Sequence, residues 1–184
     1  MMEAIMNWDA QTLLFIQEHL RFEPLNTIVR FVTMLGNGGL IWIALGIALL
    51  IYKKTRVQSI YLLPTLGLAT LVNNGVIKNL VMRVRPYEVI EGLTVLIAAE
   101  STWSFPSGHT CSSFATATAL FLTFRGKGGG WAYVLAALIS LSRLYVGVHY
   151  PTDVIVGATV GTVVAAICYK LYERILSRIS RRVE

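Results

Sequence analysis

Five apolar runs, at residues 40–52, 57–78, 107–124, 131–148 and 153–171, constrain this chain more than any other feature. The longer ones approach the ~20 residues that an α-helix needs to cross the hydrocarbon core of a bilayer. In that solvent the backbone must satisfy its own N–H and C=O groups, and a helix does so within one segment. Composition agrees. Of the 184 residues, 55% are hydrophobic and 14% are charged, and mean hydropathy is +0.62; an ordinary soluble domain carries about 25% charged residues. The expectation is an all-α, multi-pass transmembrane helical bundle with five clear spans, or six if the N-terminal third supplies one.

That N-terminal third, residues 1–36, is more mixed. Trp8, Leu13, Leu14, Ile16 and Leu20 alternate with Asp9, Gln11, Gln17, Glu18 and His19. The pattern predicts an amphipathic helix lying at the membrane interface, with His19 an interfacial residue. Pro24 breaks it, and a second short helix over 25–35 ends at Gly36-Asn37-Gly38-Gly39. Three segments follow: N-terminal interfacial helices over 1–36, a transmembrane core over 37–177 and a basic cytoplasmic tail over 178–184. No basic n-region precedes an apolar core at the N-terminus, so no cleavable signal peptide is expected. Cys111 and Cys168 lie inside apolar runs, where they read as packed side chains; no disulfide framework or metal-ligand spacing is visible. Gly157 and Gly161 form a small-residue pair suited to close helix packing.

The net charge of +6 and the pI of about 9.5 reflect short basic loops and a basic tail rather than a nucleic-acid surface. No basic patch is interleaved with aromatic residues, so no nucleic-acid partner is expected. Lys53-Lys54-Thr55-Arg56, the Arg125/Lys127 loop and the tail fall on one face if all five runs span, and the positive-inside rule makes that face cytoplasmic. Three polar clusters then meet on the opposite, extracytoplasmic face: Lys78 to Arg85-Pro86, Pro106-Ser107-Gly108-His109, and Ser142-Arg143 to Asp153. Ionisable groups beside membrane-length apolar runs are costly unless they serve a function.

Each cluster has a chemical and a bland reading. Lys78 and Arg85 are seven residues apart, so a helix would put both on one face with Asn74 a turn earlier; a lysine and an arginine at a membrane surface also snorkel to headgroups. Ser107 can cap a helix, Gly108 permits close backbone approach, and the free N–H groups there bind anions. Gly147 lets the chain turn so that His149 points back, and Asp153 falls in the first turn of the last helix. There it answers the helix dipole, or holds one nitrogen of His149 and leaves the other as a nucleophile. The loop over 87–103 is long and irregular and joins two clusters, so it should border the site; Glu88, Glu91 and Glu100 would repel phosphate and should face water.

Taken in order, Lys78-x6-Arg85-Pro86, Pro106-Ser107-Gly108-His109 and Ser142-Arg143-x5-His149-x3-Asp153 resemble the three-part signature of the type 2 phosphatidic acid phosphatases. That superfamily also holds bacterial lipid-pyrophosphate phosphatases, glucose-6-phosphatase and vanadium haloperoxidases. The resemblance implies that His149 is the nucleophile that becomes phosphohistidine, that Asp153 orients it and that His109 protonates the leaving oxygen. It assigns Lys78, Arg85 and Arg143 to the phosphoryl oxygens, with Ser107 and the Gly108 amide, and it implies no metal and no cofactor. The implied protein is a multi-pass phosphatase of the cell inner or plasma membrane, acting on a lipid phosphate or pyrophosphate among membrane lipids. Undecaprenyl pyrophosphate is the first choice. Phosphatidic acid, phosphatidylglycerophosphate, a lipid A phosphate, lipid phosphotransfer and a non-enzymatic lipid-binding or transport role are the alternatives.

Overall fold

The computed structural model describes residues 1–124 and 129–183. Arg125 and Lys127, expected to mark the cytoplasmic face, lie outside the described residues, as do the side chains of Arg181 and Arg182. Among the described residues there are helices and connecting segments and no strand. Helix α1 is Met2–Leu20, α2 is Glu23–Leu35 and α3 is Leu40–Ile51. Helix α4, Arg56–Thr70, runs on through a π-helical stretch, Leu71–Ile77, into α5, Lys78–Val81. A short α6, Pro86–Val89, precedes the irregular segment to Ser107. Then come α7, Gly108–Thr123, α8, Gly130–Tyr145, and α9, Pro151–Val183.

Among the described residues two stretches, Lys53–Val89 and Pro151–Ile175, are long and apolar enough to cross a membrane; Glu23–Leu35 with Asn37–Ile51 forms a further candidate bent by 47° at the glycine turn. All five expected runs are helical, but α7 and α8 have only 16 residues each. The reason for α7 lies in its position. It packs against α4, α8 and α9 at the centre of the bundle, and Thr110, Ser112, Ser113, Thr116 and Thr118 are all buried. A helix enclosed by other helices need not be lipid-soluble on every face.

Lipid tails are as apolar as leucine, so contacts between the helices rest on close packing and interhelical hydrogen bonds. A Cβ at Gly157 would sit 2.7 Å from the Ser107 carbonyl oxygen, and one at Gly161 would overlap the Cys111 carbonyl. The glycine pair therefore brings α9 onto α7 within the chain. The Trp42 indole donates to Ser113 Oγ at 2.9 Å and the Tyr61 hydroxyl to the Ala165 carbonyl at 2.5 Å, tying α3 to α7 and α4 to α9.

Helices α7 and α9 begin, and α8 and the α4–α5 run end, at the same end of the bundle. The loop over 53–55 and the far end of α9 are therefore remote from it. Helix α1 docks at the motif-bearing end. Leu13 packs with Leu93, Leu144 and Tyr150, and Arg21 Nε donates to the Tyr145 carbonyl at 2.8 Å. The expected polar face of α1 needs one correction: Asp9 is fully buried, because its carboxylate has partners inside the bundle, whereas Trp8 on the apolar side is 48% exposed.

Candidate active site

Lys78 and Arg85 meet at the site, but not on one helix face. The helix stops at Val81 because Met82 adopts a left-handed backbone, φ 48°. The chain then extends to Arg85, which caps α6 with Pro86 in its first turn. The π-helical turn holds Asn73 buried, its Nδ2 donating to Asn74 Oδ1 at 3.0 Å and to the Pro106 carbonyl at 3.3 Å. Lys78 follows directly, 7% exposed. A polar cavity of about 310 Å³ lies over it, lined by Asn74, Lys78, Asn79, Ser101, Thr102 and Trp103.

Gly147 takes φ 83°, and a Cβ there would meet the Thr94 carbonyl oxygen at 2.8 Å. This turn sends the chain back toward the site, where His149 is 1% exposed. Its Nδ1 lies 3.3 Å from Asp153 Oδ2, and its Nε2 lies 3.3 Å from Arg85 Nη1. An arginine can only donate. Nε2 must therefore accept, and Nδ1 carries the hydrogen toward Asp153. The network thus assigns the lone pair to Nε2, where it accepts from Arg85. Burial, only partly opposed by the Asp153 hydrogen bond and reinforced by Arg143 and Arg85, pushes the His149 imidazole down to about 4. It is neutral at pH 7, as a nitrogen nucleophile must be.

Asp153 is held by more than His149. Its Oδ2 also accepts from the Ser104 hydroxyl at 2.5 Å and the Tyr150 N–H at 3.0 Å; its Oδ1 accepts from Arg83 at 2.8 Å. Ser107 caps α7, its oxygen accepting from the Thr110 hydroxyl at 3.0 Å, which leaves its own hydrogen for another acceptor. The Ser107 N–H donates to the Asp153 carbonyl at 3.1 Å, so the second and third motifs touch through the backbone. Gly108 has no room for a side chain; a Cβ would stand 2.9 Å from Asn74 Oδ1. His109 reaches the same end of the bundle, but its Nε2 pairs with Asn37 Oδ1 at 2.9 Å in the glycine turn between α2 and α3.

Glu100 overturns one expectation. Glu88 and Glu91 are exposed, but the Glu100 carboxylate bridges Arg85, at 2.5 Å, and Arg143. Burial works to raise it; the guanidiniums of Arg143 and Arg85 overcome that and hold it at about 2. Two buried guanidiniums need a counter-charge, and this loop supplies one. Arg143 is fully buried, with Nη1 donating to Thr33 Oγ1 at 2.5 Å and Nε buried without a partner. Glu100, Ser104, Asp9, Thr33 and Asn37 all belong to this site, and sequence reasoning missed them. A signal existed only for Glu100, which lies in the loop expected to border the site, and for Ser104, which directly follows it. Among the described residues no three His, Cys, Asp or Glu side chains gather as a metal-binding group.

A buried neutral imidazole, its unprotonated nitrogen facing an arginine, can attack an electrophilic phosphorus whose oxygens draw that arginine away. The PAP2 superfamily matches residues 58–176, more than half of the chain. An undecaprenyl-diphosphatase of Sulfolobus acidocaldarius is 34% identical over 142 residues, 75% of this chain and 66% of that one, so the chain spans just under two thirds of that relative. The crystal structure of a transmembrane PAP2 type phosphatidylglycerolphosphate phosphatase from Bacillus subtilis superposes with a TM-score of 0.77 at 28% identity, covering 94% of this chain and 88% of that one. Aquifex aeolicus LpxE gives a TM-score of 0.77 at 29% identity, over 89% and 95%. The chain therefore belongs to the PAP2 superfamily.

Proposed function

We propose that this protein hydrolyses a lipid phosphate or pyrophosphate through a phosphohistidine on His149. The observation that carries the reading is the tautomer: Nδ1–H toward Asp153, and the Nε2 lone pair toward Arg85. In the first step Nε2 forms a bond to phosphorus as the P–O bond to the leaving oxygen breaks, the bridging oxygen of a pyrophosphate or the alkoxide oxygen of a monophosphate, and that oxygen takes its proton from His109. In the second, water attacks the phosphohistidine, His109 takes back a proton and the P–N bond breaks. Lys78, Arg85 and Arg143 match the charge on the phosphoryl oxygens, and Ser107 and the Gly108 amide add neutral donors. Asp153 favours the cation that forms on His149.

Undecaprenyl pyrophosphate is the first choice of substrate, supported by the 34% identity to an undecaprenyl-diphosphatase. A cavity of about 360 Å³ runs from Gly108 and Asn74 to Leu63 and Leu66 and suits a lipid chain beside the phosphate. Phosphatidylglycerophosphate is the second reading, favoured by the fold match to the Bacillus subtilis phosphatase. In this reading all five apolar runs cross the membrane, and the basic segment at 53–56 on the cytoplasmic side leaves the site on the extracytoplasmic side. The test is phosphate release from purified lipid pyrophosphates and monophosphates, with acid-quenched enzyme assayed for base-stable, acid-labile phosphate. Release without such phosphoenzyme, or its survival in His149→Ala, would refute the mechanism.

A further inference from the structure

Arg83 lies between the motif cations, and Asp9 lies in α1, far from any motif. Together they extend the His149–Asp153 pair. Arg83 Nη1 donates to Asp153 Oδ1 at 2.8 Å and to Thr152 Oγ1 at 2.7 Å, while Nη2 donates to Asp9 Oδ2 at 2.7 Å. The guanidinium carbon stands 3.6 Å from the centre of the Tyr150 ring. Asp9 also accepts from the Thr152 N–H at 3.0 Å and the Thr152 hydroxyl at 2.6 Å. Both carboxylates are fully buried.

Two features separate this arrangement from a simple staple for α1. First, His149, Ser104 and the Tyr150 N–H all use Asp153 Oδ2, and the one contact recorded on Oδ1 is Arg83. Arg83 therefore fixes the rotation of the carboxylate, and with it the direction in which Oδ2 meets His149. Second, the charges do not cancel. Asp9 and Asp153 enclose one partly buried arginine, so on the Nδ1 side this trio carries one surplus negative charge while His149 is neutral, opposite the Arg85 guanidinium at Nε2. A positive charge on His149 brings the group to neutrality. Such a charge appears as the imidazole nitrogen bonds to phosphorus.

We propose that Asp9 and Arg83 are positioning residues for phosphoryl transfer: through Asp153 they hold the reactive tautomer of His149 and supply the surplus charge that favours its cationic, phosphoryl-bearing form. The inference rests on His149 being the nucleophile. It makes α1 part of the catalytic apparatus, although the motifs begin at Lys78.

The experiment compares wild type with Asp9→Asn, Arg83→Gln, Arg83→Lys and His149→Ala. Each is measured for kcat, KM, vanadate inhibition and the rate of phosphoenzyme formation in the full chain. Asp9→Asn keeps the shape and removes the surplus charge. It should lower kcat and phosphoenzyme formation about tenfold, the effect of one pH unit of lost imidazolium stabilisation, with KM and the vanadate constant within about twofold because the phosphate cations are untouched. Arg83→Gln should lose more, and Arg83→Lys should recover most of that loss. Wild-type turnover in Asp9→Asn beside an inert His149→Ala would overturn this inference alone. Parallel loss of kcat and vanadate binding in both Asp9→Asn and Arg83→Lys would also overturn it, marking a staple. Phosphoenzyme in His149→Ala would overturn the nucleophile and this inference together.

Discussion

Glu100→Gln should make the enzyme bind anions more tightly. In the resting protein the Glu100 carboxylate takes the two guanidiniums, Arg85 and Arg143, that a phosphoryl group would use, so an incoming phosphate must displace it. Held at about 2 against an ordinary 4.5, the carboxylate is favoured by roughly 3 kcal/mol at 1.36 kcal/mol per pH unit. Water reaching its side chain, 26% exposed, screens that to roughly 1.5–2 kcal/mol. An amide gives up most of this, so the vanadate inhibition constant should fall about ten- to thirtyfold, and product phosphate should inhibit more strongly. Steady-state inhibition by vanadate at pH 7 measures it, with Glu100→Asp as a control that keeps the charge. Vanadate inhibition that is unchanged or weaker in Glu100→Gln would show that the carboxylate orients the arginines instead of competing for them. The same contact carries an acid signature. Because the folded value is depressed, its stabilisation is complete above about 4.5 and is lost as pH falls toward 2. Glu100→Gln should flatten the loss of thermal stability in that window.

Three further outcomes follow from the same geometry. His149→Ala should abolish hydrolysis of lipid and nitrophenyl phosphates alike, whereas His109→Ala should keep appreciable nitrophenyl phosphate hydrolysis, because nitrophenolate leaves without a proton; equal losses on both substrates would refute the division of roles. Cysteines introduced at 53–56 should resist an impermeant thiol reagent in intact cells, and those at 91–99 should react; the reverse pattern would turn the site inward. Gly161→Ala should lower stability in detergent by about 1–3 kcal/mol, since its methyl meets the Cys111 carbonyl; an unchanged melting temperature would mean that α7 and α9 can separate there at no cost.

The helical class and most of the site were legible because each rests on a local signal. Apolar length predicts helices wherever lipid or protein surrounds them, and Gly147, Ser107 and Pro151 each mark a turn or a cap whose geometry is set within a few residues. The motif residues converge as their order implied, with His149 between Asp153 and Arg85. Local reasoning failed where a long-range partner decides the outcome. Glu100 reads as a solvated acid until Arg143, 43 residues away, turns out to face it. Asp9 fits a polar helix stripe until Thr152 and Arg83 are seen to close over it. Lys78 and Arg85 share a site, but through a left-handed Met82 that helical spacing does not anticipate.

Three of the residues that make unforeseen contacts come from one part of the chain. Asp9 reaches Arg83 and Thr152, Thr33 reaches Arg143, and Asn37 reaches His109. All three lie before residue 58, where the superfamily match begins. Each reaches a different part of the candidate site: Asp9 the Asp153 carboxylate by way of Arg83, Thr33 the Arg143 guanidinium and Asn37 the His109 imidazole. The N-terminal helices therefore contact the candidate site, while the matched region supplies its motif residues. A change in α1 or in the Gly36–Gly39 turn alters how an intact motif is held. Asn37→Ala puts this to a direct test: it frees His109 Nε2 without touching a motif residue. Lipid hydrolysis should change several-fold while nitrophenyl phosphate hydrolysis stays within about twofold, because only the former needs the His109 proton. Equal effects on the two substrates would mean that Asn37 acts on the fold and not on His109.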